Sequence, residues 1–380
     1  MINHQRLKTN RIPAIDGLRT IAVLGVIWAH TWGFYNNIPW KLGIDLNRII
    51  SFGRNGVDLF FVISGFCMYL MYASKISKFT FGNYTYFLKK RWLRIAPAFY
   101  TLIFVEALII FVTSDVIPTK NIIYHLLFIN IFLPKDLFSP HYWSLATEFQ
   151  FYLIFPLLFL FVNQPSGFLK RVVIFVIVCI GFRIWHFYRY RADIAMNQTV
   201  SSFEIWYRFA EFGFGVIAAI LFVKKQRIPN WIAGVRGFLI GLGISYLGRI
   251  LMLSEFANYF GWKAFYFKAL GEPIMTFGFG ILLLSLISSE NVLNSFFSGK
   301  PFLFLGKISY SMYLWHYLLA EYVSRFFIGI VGVSMVSMYI SLVVSLAILI
   351  PISWISFKLL EEPYFKRISN AKAVAYVEAF

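Results

Sequence analysis

With 59% of its 380 residues hydrophobic and 14% charged, this chain falls well short of the roughly one-quarter charged residues of a soluble protein. Its 35 Lys and Arg against 17 Asp and Glu leave a formal charge of +18. In a soluble chain that balance points to nucleic acid. In a chain this apolar it points to cationic cytoplasmic loops, supplemented by sites for anionic ligands, and no nucleic-acid partner is expected. The composition is that of an all-α, polytopic transmembrane bundle.

The basic start, Met1 to Arg11, is followed by an apolar segment without a small-residue cleavage site, so that segment reads as a retained first helix and not a signal peptide. Runs long enough to span follow at 14–35, 53–73, 95–114, 144–163, 171–189, 205–223, 231–251, 271–289, 307–331 and 333–358, giving ten predicted crossings. The run 121–133 is too short and is expected to be re-entrant or interfacial. With the N-terminus inside, this count puts Arg6, Lys8 and Arg11, then Lys75, Lys78 and Lys89–Arg94, then Lys170 and Arg171, then Lys224, Lys225 and Arg227, and finally Lys366, Arg367 and Lys372 on the cytoplasmic side. Arg189, Arg191, Lys263 and Lys268 fall outside. An eleventh crossing would send Lys224–Arg227 outward, so both termini are expected in the cytoplasm. The chain divides into a tail, 1–13, a single membrane domain, 14–365, and a second tail, 366–380. Cys67 and Cys179 lie in apolar runs and make neither a disulfide framework nor a metal spacing; no metal is expected.

Polar residues inside the apolar runs carry the chemistry, because ionisable groups in a bilayer are costly and mark functional paths. His30 lies eleven residues after Arg19 in the first run, which puts both on nearly one helix face, roughly 16 Å apart along the axis. A neutral imidazole is a general base near neutral pH, and a carboxylate beside it would orient it. Asp58 opens the second span, either as an acid favoured by the helix dipole or as part of such a site. Ser64 and Gly65 read as packing residues. Lys90, Arg91 and Arg94 precede the third span, as snorkelling anchors or as a phosphate site. Glu148 stands among apolar residues, paired with an arginine or serving the site. The predicted topology gives His30, Asp58 and Glu148 similar depth in the outer half, with Arg19, Arg91 and Arg94 towards the inner face. The polar positions of Lys307–His316 line a cavity or join helices, and Glu361–Pro363 ends the last span.

In order, these segments resemble the acyltransferase-3 family of integral membrane acyltransferases. The carriers are Ile15-Asp-Gly-Leu-Arg19 with His30, Gly56-Val-Asp58 through Gly65, Lys90-Arg91-x-x-Arg94-Ile-x-Pro97, Trp143-Ser-Leu-x-x-Glu148-x-x-Phe151 through Pro156, and Ser309-Tyr-Ser-x-Tyr313-Leu-x-His316. The resemblance implies transfer of an acyl group, most often acetyl, from cytoplasmic acyl-CoA to a hydroxyl of a surface carbohydrate such as O-antigen, at the bacterial inner membrane. It implies His30 as catalytic base; Glu148 and Asp58, which share its predicted depth, are the candidate catalytic acids beside it. It places Arg19 in the essential motif, and Arg91 and Arg94 in an arginine motif on the CoA side. Lys90 stands where the family often has a further arginine, which keeps charge without the bidentate fork. Acetyl-CoA is then a co-substrate, a membrane lipid environment and a carbohydrate acceptor are the partners, and the form is one without a fused soluble domain. The competing class is a transporter or flippase for a lipid-linked glycan. It would need buried charges too, but broken helices in two related halves are its usual mark.

Overall fold

The computed structural model describes residues 12–38, 41–42, 44–73, 80–160, 165–189, 204–223, 228–229, 231–253, 264–288 and 291–364. Among them, regular structure is helical apart from a two-residue antiparallel ladder of Lys41–Leu42 with Ile44–Asp45. In chain order the helices are α1 (Pro13–Phe34), α2 (Leu46–Gly53), α3 (Gly56–Ala73), α4 (Phe81–Ser114), α5 (Thr119–Leu126), α6 (Trp143–Ile154), α7 (Pro165–Arg189), α8 (Ile205–Val223), α9 (Gly234–Leu251), α10 (Ala264–Ser288), α11 (Val292–Phe297), α12 (Lys300–Lys307), α13 (Ser309–Val331) and α14 (Met335–Ser356). Among the described residues, five helical stretches are long and apolar enough to cross a membrane: Phe81–Ser114, Ile205–Val223, Gly234–Leu251, Ala269–Ser288 and Met335–Tyr364. The N-terminal residues 1–11, the tail 366–380, and the basic positions Lys75, Lys78, Arg191, Lys224, Lys225, Arg227 and Lys263 lie outside the described residues.

Two local features depart from or sharpen the sequence expectation. The predicted span 144–163 is divided: α6 has 12 residues and gives way to a 3₁₀ segment at Phe155–Phe159. Pro156 supplies the reason, since it has no N–H to continue the ladder and its ring crowds the carbonyl one turn back. The short run near 121–133 folds as α5, eight residues or about 12 Å, followed by a 3₁₀ turn at Asn130–Phe132.

The chain forms two compact units. The first comprises Met1–Gly25, Arg54–Thr80 and Thr147–Gly306. In it α8 packs on α3, α7 and α10, and α10 packs on α9. The α3–α8 approach is close because Gly65 and Gly215 lack side chains: a Cβ at Gly215 would run into the Val62 carbonyl, and one at Gly65 into that of Phe212. Phe212 fills the space beside this crossing, its ring 4.5 Å from Phe61 and 4.1 Å from Phe151.

The second unit comprises Val26–Gly53, Phe81–Ala146 and Lys307–Phe380. Here α13 packs on α14 and α4. Polar side chains pin the helices: Tyr35 Oη donates to the Ser337 carbonyl at 3.0 Å, Tyr310 Oη to that of Ile95 at 2.8 Å, and Tyr364 Oη to that of Lys90 at 2.6 Å. Helix α14 starts with a capping box between Ser334 and Ser337 and ends in a π-helical turn, Phe357–Glu361. The buried Glu106 of α4 accepts from the Ser139 N–H at 2.9 Å, from Ser139 Oγ at 2.5 Å and from Tyr142 Oη at 2.6 Å. Those three bonds satisfy a carboxylate that would otherwise be costly to bury. They also fix the turn Pro140–Tyr142, which carries His141.

Candidate active site

Three imidazoles meet in the second unit. His30, on the last turns of α1, is half-buried. Its Nδ1 lies 2.8 Å from Nε2 of His316, a fully buried residue of α13. His316 Nδ1 donates to the Tyr313 carbonyl one turn back, at 2.5 Å. His141 is the third ring, its centroid 4.7 Å from His316. Tyr317 closes the group, edge-on to His30 at 5.4 Å and parallel to His141 at 5.6 Å. Tyr313 Oη donates to the His141 carbonyl at 3.0 Å and shares a 2.7 Å hydrogen bond with Ser144 Oγ. The floor of the cluster is therefore hydrogen-bonded backbone and hydroxyl, and the rings stand on it.

His141 sits in a turn between helices. Burial pushes its imidazole well below the usual histidine range, the His316 and His30 rings add to that shift, and the carbonyls of Leu314 and Tyr313 partly offset it. It is a neutral ring at pH 7. The sequence reading expects a carboxylate beside His30. The structure shows a second imidazole, that of His316, against His30 Nδ1.

Glu148 accepts from Ser64 Oγ at 2.8 Å and from Tyr152 Oη at 2.5 Å. Ser64, expected only to pack, is thus a donor to this acid. Arg19 shares the neighbourhood: it donates to Asp16 Oδ1 at 3.0 Å and to Cys67 Sγ at 3.5 Å, and Glu148 is within its electrostatic reach. Helix α1 is unbroken, so the spacing from Arg19 to His30 along it is the one the sequence predicts.

Asp58 has other partners. Its carboxylate accepts from Arg208 Nη1 at 2.9 Å and from Asn55 Nδ2 at 2.7 Å. The same Arg208 nitrogen reaches Glu211 at 2.9 Å and also Glu272, which Arg183 pairs from the other side. The oxygens of Asp58, Glu211 and Glu272 lie within 4.8 Å of one another, a spacing that could hold a metal ion. A guanidinium already supplies the positive charge there. Asp58 is also in the first turn of α3, where the dipole favours an acid.

The basic motif lies in the second unit. Arg91 is buried beside the Phe87 ring, and Lys90 Nζ stands 4.0 Å over the Tyr86 ring. Arg94 is half-buried and within electrostatic reach of Glu361, itself hydrogen-bonded by Ser311 Oγ at 2.5 Å. Two arginines and a lysine over about one helical turn offer a fork-and-point-charge set suited to phosphates.

A family model described as an acyltransferase domain, that of acyltransferase-3, matches residues 12–357. The chain belongs to the acyltransferase-3 family. Among curated relatives it is similar to proteins named O-acetyltransferase OatA from Staphylococcus aureus strains NCTC 8325 / PS 47 and COL, each 28% identical over 393 residues that cover 96% of this chain and 59% of the relative. The chain thus spans about three-fifths of the length of those relatives. No solved structure matches it.

Within this acyltransferase-3 chain, several charged residues escape the sequence reading. Arg208 and Glu211, three apart in an apolar span, carry the same local signal that marks His30. Glu272 and Glu106 are likewise single charges inside predicted spans, and Arg183 is the one charge in the interior of 171–189. His316 ends the motif that starts at Ser309, and His141 lies two residues before the one that starts at Trp143, but no local pattern shows that they share a cluster with His30.

Proposed function

We propose that this chain is a membrane O-acyltransferase that moves an acyl group, acetyl by preference, from cytoplasmic acyl-CoA to a hydroxyl of a surface polysaccharide or lipid-linked glycan such as O-antigen. The observation that carries this reading is His30: an imidazole on a helix of spanning length, half-open to a reactant and held by a second imidazole. In the reaction His30 takes the proton of the acceptor hydroxyl. The oxygen attacks the thioester carbonyl carbon, a C–O bond forms, and the C–S bond breaks. The His30 imidazolium then returns its proton to the departing CoA sulfur, so the products are the ester and free CoA. Arg91, Arg94 and Lys90 hold CoA phosphates at the cytoplasmic side. Within the first unit Arg19 has Glu148, with its two hydroxyl donors, in electrostatic reach, and Asp58 keeps Arg208 in place. This arrangement goes with ten crossings, both termini inside, and an inner-membrane location.

The test is thioester consumption. Wild-type protein purified in detergent should release CoA from acetyl-CoA when a membrane-glycan extract is added. His30→Ala should elute normally on size exclusion yet lose turnover by about 10²-fold or more, the scale of a missing general base. Near-normal turnover in that variant would remove the assignment.

A further inference from the structure

We propose that His316 is a positioning residue that fixes the tautomer of His30, so that Nε2 of His30 carries the lone pair and is the atom that takes the proton. The inference rests on the reading of His30 as the base. It starts at a backbone carbonyl. The Tyr313 oxygen can only accept, so His316 Nδ1 carries its hydrogen. A neutral imidazole has one N–H, so His316 Nε2 is then an acceptor. That acceptor faces Nδ1 of His30 at 2.8 Å, which makes Nδ1 of His30 the donor and leaves its ring lone pair on Nε2.

The ring geometry supports a directed bond and not a face-to-face stack. The two planes differ by 15°, and the centroids are 5.1 Å apart. That separation exceeds the 2.8 Å between nitrogens by about one ring width. The rings therefore lie nearly in line, edge to edge, with an N–H of one along the lone pair of the other.

The relay is built to hold its sense. His316 is fully buried on α13, and its donor bond closes within its own helical turn, three residues apart. Tyr313, whose carbonyl sets the direction, is itself held through its hydroxyl by the His141 carbonyl and Ser144. When His30 becomes imidazolium, its Nδ1–H still has His316 Nε2 to bond. The uncharged imidazole thus fills the orienting place usually taken by a carboxylate in a nucleophile–base–orienter set.

The experiment compares His316→Met, His316→Gln and His30→Ala, each measured per amount of protein in the monodisperse size-exclusion peak. A glutamine can turn its amide oxygen to His30 and its amide N–H to the Tyr313 carbonyl; a methionine can do neither. His316→Met should lower kcat by about 10²-fold with both KM values within roughly threefold of wild type. His316→Gln should return kcat to within about tenfold of wild type. Equal kcat for the Met and Gln variants would overturn the relay. So would a full-rate His316→Met beside an inactive His30→Ala, and that outcome would leave the base itself in place. A full-rate His30→Ala would instead remove the base reading, and the relay with it. If the Met variant yields no folded protein, His316→Leu takes its place in the same comparison.

Discussion

Replacing Arg208 with methionine should destabilise the first unit more than any other single change to its charged residues. One nitrogen of Arg208 bonds Asp58 and Glu211 at 2.9 Å each and also reaches Glu272. The side chains of these acids are only 6%, 1% and 8% exposed, so little solvent can replace the guanidinium. After the change the three carboxylates keep Arg183, and Asp58 the electrostatic reach of Arg249, but lose the one cation bonded to all three. Breaking a buried pair by removing one partner costs about 3–5 kcal/mol. At about 2 °C per kcal/mol for a large domain, the melting temperature should fall by roughly 6–10 °C. The buried Cys179 gives the assay its reporter: a thiol-reactive dye added in detergent labels it as the unit opens. Adding Glu211→Gln to the variant restores the net charge of the cluster and should recover part of the loss. A single variant melting within about 2 °C of wild type would refute the network as a stabilising element.

Two further outcomes follow from the geometry. Gly215→Ala places a methyl against the Val62 carbonyl, so α3 and α8 must separate; a loss of about 1–3 kcal/mol, seen as a lower melting temperature in the same dye assay, is expected, and an unchanged melt would contradict the close approach. Arg94→Ala should raise the KM for acetyl-CoA more than that for the glycan, and wild-type donor KM should rise with ionic strength; a change confined to the acceptor would refute the donor-side assignment.

How much of this could be read from the chain depends on how far apart the interacting residues lie. Arg19 and His30 were legible because both sit in one apolar run, where the helical period alone sets their spacing. Asp58 as the N-terminal acid of α3 was legible for the same reason. The division of the predicted span 144–163 was written in Pro156, but hydropathy counts apolar atoms and takes no account of a missing N–H. Partnerships across the chain were not legible. His30 and His316 are 286 residues apart, Asp58 and Arg208 are 150 apart, and nothing in either local sequence names the other.

The same contrast bears on the imidazole found at His30 Nδ1, where the sequence reading expects a carboxylate. Sequence patterns mark which groups are ionisable and buried, and a buried acid is a reasonable partner for a base. A buried acid, though, is most stable where a cation or several donors satisfy it. Asp58 found Arg208, Glu148 found two hydroxyls, and Glu106 found three donors around Ser139 and Tyr142. At His30 Nδ1 the structure shows a neutral imidazole, that of His316. Orientation of a general base requires an acceptor on its second nitrogen, and that acceptor need carry no charge. In a low-dielectric span a neutral acceptor also avoids burying a lone anion while the base is still uncharged. The imidazole pair thus meets the chemical requirement of the site at a lower desolvation cost than the carboxylate that the sequence suggests.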